Sequence, residues 1–78
     1  MVPLSLAPIG TELRLDEIHA GRGLKQRLET FGLLPGEVVM VVNDNGPLIL
    51  SVKQTRLVIG RGVATKICVT PLKEAGEE

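Results

Sequence analysis

The 78 residues carry nine basic and nine acidic side chains, one cysteine, one phenylalanine and neither tryptophan nor tyrosine. A single cysteine excludes an internal disulfide; zero net charge and one aromatic ring exclude the basic stacking groove of a nucleic-acid binder. With 44% hydrophobic residues and almost no rings, the core of one small domain has to be built from Val, Leu and Ile.

At the N-terminus, Leu4 to Leu6 is a short apolar segment closed by Pro8 and Gly10. It lacks a basic start and carries Pro3 and Pro8, so it does not read as a signal peptide. No run approaches the ~18 apolar residues of a membrane span, so a cytoplasmic protein without membrane insertion is expected. Glu12 to Ile18 alternates at Leu13 and Leu15 and predicts a strand, which Ala20-Gly21-Arg22-Gly23 breaks. A helix is predicted from roughly Leu24 to Phe31, because Leu24, Leu28 and Phe31 at i, i+4 and i+7 share one apolar face. Gly32 then supplies the stop and Pro35-Gly36 the corner.

Glu37 to Val42 predicts a β-branched strand ending at the turn signal Asn43-Asp44-Asn45-Gly46. Pro47 to Val52 is the return strand, with proline tolerated at its start. Lys53-Gln54 is a tight turn, Thr55 to Ile59 a strand, Gly60 to Ala64 a short irregular or single-turn element, and Lys66 to Thr70 the last strand. Residues 1–78 are expected to form one domain with a frayed acidic tail, 73–78; without the tail glutamates the body is mildly basic. Five strands and one helix between the first two predict a mostly β fold, a small, partly open SH3-like barrel. An OB-fold would place its helix between the third and fourth strands, where only two residues connect.

A barrel this small fills its interior with side chains. His19, Cys68, Asp16 and Glu17 are the candidate chemical groups, and no motif links them. One imidazole beside two adjacent carboxylates does not close a metal shell, so neither catalysis, a metal nor a cofactor is expected. Cys68 alternates with Ile67 and Val69 and is expected to point outward.

Two features suit a partner. The basic residues Arg22, Lys25 and Arg27 cluster on and before the helix; they form a docking face or a solvated one, Glu29 partly neutralising Lys25 at i+4. The second is a sheet face. If Val38, Met40, Val42, Leu48, Leu50, Val52, Leu57, Ile59, Ile67 and Val69 face inward, then Val39, Val41, Ile49, Val58 and Cys68 form an outer face that is apolar but for Ser51. Such a face is an interface, for docking or self-association, or is covered by the helical loop or by Leu4 to Ile9.

The pattern Leu4-x-Leu6, Gly10, Leu15-x-x-Ile18, Arg27-Leu28-x-x-x-Gly32-Leu33-x-Pro35-Gly36, Gly46-Pro47 and Ile67-x-Val69 resembles the FeoA family. These are small SH3-like proteins of bacterial ferrous iron uptake, and the resemblance runs from about Leu4 to Val69. Leu57-Val58-Ile59-Gly60-Arg61-Gly62 departs from the family's usual Ala-Leu pair before the last short helix. The resemblance implies an accessory with no reaction of its own, working beside FeoB, the membrane protein whose cytosolic G-domain accompanies Fe²⁺ transport. Similar domains end the DtxR-type metal-dependent repressors, after a helix-turn-helix and a dimerisation domain. A chain starting at Met1 without either is expected to stand alone.

Overall fold

Leu13 and Leu15 become the inward residues of a strand whose alternates lie toward solvent, and strands are the commonest regular element of the fold. The computed structural model describes residues 1–72; the predicted acidic tail lies outside them. In chain order come β1 (Val2–Pro3), a 3₁₀ turn (Leu4–Leu6), β2 (Glu12–Ile18), α1 (Arg22–Thr30), β3 (Val38–Asn43), β4 (Leu48–Val52), β5 (Thr55–Ile59), α2 (Arg61–Ala64) and β6 (Ile67–Pro71). The strands form one curved antiparallel sheet in the order β1-β6-β2-β3-β4-β5, leaving β1 and β5 at its margins. The mostly β, partly open SH3-like barrel is therefore present, with six strands where five are expected. The extra one, β1, is two residues long and begins before the apolar segment.

Leu13, Leu15, Val39, Val41, Leu48, Leu50, Val52, Ile59, Ile67 and Val69 point into the barrel, and Leu4, Leu28, Leu33 and Ala64 close its ends. No polar or charged side chain is buried among the described residues. An aliphatic core of this kind is held by area alone, at about 25 cal/mol per Å² of apolar surface withdrawn from water.

One facing is the reverse of the expectation. Val39 and Val41, predicted outside, are 2% and 1% exposed, while Val38 is 45% exposed and Met40 and Val42 are half-buried. The register shows why: Val39 lies opposite Val52 and Leu13, and Val41 opposite Leu50, all inward residues. Five consecutive apolar residues carry no alternation, so only the pairing decides which set is inside. The other predicted facings on β4 and β5 hold. The segment before β2 does not cover an outer apolar face; it sends Leu4 and Ala7 into the core and bridges Val41 through Ile9.

Helix α1 starts two residues earlier than predicted and stops one residue earlier. Its end is a Schellman closure: Gly32 donates to the Glu29 carbonyl at 2.9 Å and Leu33 to the Leu28 carbonyl at 3.0 Å. Gly32 holds φ +94°, and Leu28 and Leu33 seal the closure as a buried pair. Because the closure falls here, Phe31 is the cap, on the same side as Leu24 and Leu28 but not buried with Leu28. Its ring is 56% exposed, a second correction.

Candidate functional site

The candidate chemical residues gather at the end of β2, but not as a reaction centre. A bulge at Asp16 separates the pairs Leu15–Val69 and Glu17–Cys68. Asp16 turns along the sheet, accepting from Arg14 Nε at 3.0 Å and from the Thr70 hydroxyl. The Thr70 hydrogen bond, followed by Arg14, holds its carboxyl below the usual 3.8. His19 Nε2 lies 2.8 Å from Glu17 Oε1, on an open surface shared with Lys25 and Glu29. Cys68 is a half-buried free thiol set between Glu17 on β2 and Pro3 on β1. Among the described residues no three His, Cys, Asp or Glu side chains converge as metal ligands.

The basic residues of α1 are divided between two flanks of the helix. At about 100° per residue, Lys25 and Arg27 are roughly 200° apart around the helix. Arg22 and Lys25 lie together beside Ala20, Gln26 and Glu29. Arg27 lies on another flank, with Arg56, above an apolar groove. That groove, of about 390 Å³, separates α1 from β5 and α2 and is lined by Leu24, Leu28, Phe31, Val58 and Val63. None of Arg22, Lys25, Arg27 and Arg56 has a carboxylate partner among the described residues.

Of the predicted apolar face, only Val58 is freely accessible at 70%; Ile49 beside it is half-buried, and Val39 and Val41 are withdrawn into the core. The outer surface of the sheet is instead mixed, with Glu12 opposite Met40, Arg14 opposite Val38 and Arg56 opposite Ser51. The groove was not foreseen. Its signal in the sequence is faint: Arg56 and Val58 alternate outward on one strand, but nothing in the residues says that this strand lies at the margin.

Comparison with known proteins identifies the architecture. The family model for the FeoA domain matches residues 2–71. The chain belongs to the FeoA family. A curated FeoA relative from Methanocaldococcus jannaschii, named as a candidate Fe(2+) transport protein A, is 42% identical over 99% of this chain and 95% of its own length. The crystal structure of an iron uptake regulatory protein, FeoA, superposes with a TM-score of 0.83 at 37% identity, over 91% of this chain and 96% of that one. Stenotrophomonas maltophilia FeoA, a procaryotic SH3 domain protein solved in complex with zinc, gives 0.76 at 26% identity over 88% and 89% of the two chains. The same fold forms part of a longer chain in T. acidophilum IdeR, which gives 0.82 at 20% identity, over 90% of this chain and 33% of that one.

Proposed function

We infer that this chain is a non-enzymatic accessory of ferrous iron uptake, which docks from the cytosol on a FeoB-type membrane GTPase transporter. Membership of the FeoA family over nearly its whole described length carries the reading. The interior supports it, being filled by aliphatic side chains with no buried polar group among the described residues. Work then falls to the surface, where Arg22 and Lys25, without a carboxylate partner among the described residues, offer positive charge on an exposed helix face. No helix among the described residues is long and apolar enough to cross a membrane.

Membranes from cells expressing the tagged protein test the reading. A FeoB-type GTPase should be retained with it, and Arg22→Glu with Lys25→Glu should reduce retention several-fold, most at low salt where steering charges matter. Retention without any such GTPase, or recovery unchanged by the double reversal at low salt, would refute it. A second reading is a regulatory module related to the C-terminal domain of DtxR-type repressors. It draws on the fold shared with IdeR and with ScaR, of which this chain spans 33% and 37%. It predicts capture of a helix-turn-helix polypeptide in the same experiment.

A further inference from the structure

Strand β5 has β4 on one side and, among the described residues, no strand on the other. Lys53 and Gln54 both hold positive φ, 50° and 68°, so the β4–β5 connection is a two-residue primed hairpin turn. Val52 and Thr55, which flank it, form a hydrogen-bonded pair, and the ladder alternates from there. Thr55, Leu57 and Ile59 therefore direct their backbone groups to β4. Arg56 and Val58 direct theirs to the margin, so four main-chain groups face outward along one edge.

Side chains frame this edge with a definite chemistry. The groove between α1 and β5 runs beside it, and Phe31 and Val58, two large apolar side chains that folding leaves in water, both line it. Arg27 and Arg56 stand at the same groove, neither with a carboxylate partner among the described residues. An occupant that satisfies all three features is extended, apolar at its centre and acidic at its flanks. The geometry points to β-strand addition: a short acidic-flanked apolar peptide segment of a partner protein pairs with β5 and seats its side chains between Phe31 and Val58. The proposal rests on the reading that this chain works by docking, and it names the surface and the chemistry of what docks.

Five residues of β5 at about 3.4 Å each offer an edge of roughly 17 Å, the length of a five-residue strand. A helix laid in the groove would leave the outward N–H and C=O groups of Arg56 and Val58 without main-chain partners, whereas a strand supplies them. A second copy of this chain fits poorly. Pairing β5 with β5 would bring two sets of Arg27 and Arg56 into one groove, and like charges brought together on adjoining strands repel.

The test uses the full chain and two fluorescein-labelled peptides, Glu-Glu-Val-Thr-Val-Thr-Val-Glu-Glu and the same core flanked by lysines, followed by fluorescence anisotropy. The acidic peptide should bind at least about tenfold more tightly at low salt, with the advantage shrinking as salt rises. Binding should slow hydrogen exchange at the Arg56 and Val58 amides of the parent protein. Val58→Pro, which removes an outward N–H without touching the β4 ladder, should weaken binding about tenfold or more, as loss of main-chain pairing at an edge requires. Arg56→Glu, at an exposed position, should narrow or reverse the preference between peptides. Equal binding of the two peptides, no saturable binding, or unchanged amide exchange at Arg56 and Val58 overturns the proposal. So does a dimer in sedimentation that Arg56→Glu strengthens or Val58→Pro dissolves, since the edge would then belong to a second copy. Retention of the transporter without peptide binding refutes this groove alone; peptide binding without transporter retention refutes the transporter as partner alone.

Discussion

Replacing Val41 by glutamate places a carboxylate where the chain has a 1%-exposed methyl-bearing side chain, opposite Leu50 and bridged to Ile9. No charged or polar side chain is buried anywhere among the described residues to receive it. An ionised carboxylate at such a site costs several kcal/mol even after relaxation. If it protonates instead, the unpaired polar group still costs about 1–3 kcal/mol and the added bulk about as much again. A domain of this size is expected to hold only about 3–5 kcal/mol. Val41→Glu should therefore unfold most of the population at room temperature. Val38→Glu, on the outer face of β3 at 45% exposure and opposite Arg14, should move stability by no more than about 0.5 kcal/mol. Val41→Ala gives an intermediate point: two lost methyl equivalents at about 0.8 kcal/mol each, plus a cavity, or about 2 kcal/mol. Far-UV circular dichroism on urea titration of the three variants reads the order. A Val41→Glu protein that unfolds as cooperatively as the parent, within a few tenths of its urea midpoint, would refute the inward assignment of β3.

Other outcomes follow from the same coordinates. Gly32→Ala must adopt φ near +94° with its new methyl 3.6 Å from Val52 Cγ1, so space is adequate and the backbone is not. The loss should be about 1–2 kcal/mol in urea unfolding, and a neutral result would remove the Schellman closure as a stabilising element. Asp16 should titrate below 3.8 in a carbon-detected NMR series, and Thr70→Val should raise its midpoint. Because the folded carboxyl is held down, its contribution to stability is present above the unfolded value and is lost as pH falls through the folded one. The stability gap between parent and Thr70→Val should accordingly close in strongly acidic solution; a gap independent of pH would refute the coupling.

How much of this was legible in the residues depends on where the pattern was periodic. Strands β2 and β5 have the bounds that the alternation and turns predict, Glu12–Ile18 and Thr55–Ile59. The Lys53-Gln54 turn lies where predicted too, since two residues between alternating runs leave little choice. Strand β3 was legible as a strand but not in its facing, because the information on facing is its register against β4 and against β2, the latter more than twenty residues earlier in the chain. Phe31 fitted a helical stripe that the chain ends just before completing, and Gly32 marked that end without saying which side of the cap the ring would take. The candidate site fared worse. Charge on α1 was visible, and helical periodicity separates Lys25 from Arg27, but the placement of Arg27 with Arg56 belongs to tertiary structure. So does the groove, since the order of strands in a sheet is a long-range property that local residue types do not encode.

The last strand lies inside the sheet, with β1 on one side and β2 on the other. A nascent chain emerging N-terminus first cannot assemble the cylinder by accretion: until residues 67–71 clear the ribosomal tunnel, β1 has no neighbour and β2 lacks one of its two. Closure therefore waits for β6, and the β2–β6 ladder, which joins residues as far apart as Leu13 and Pro71, sets a slow step in folding. Truncations and stalled translation products ending before Ile67 should present open sheets to chaperones and proteases, because β6 is the strand that joins β1 to β2.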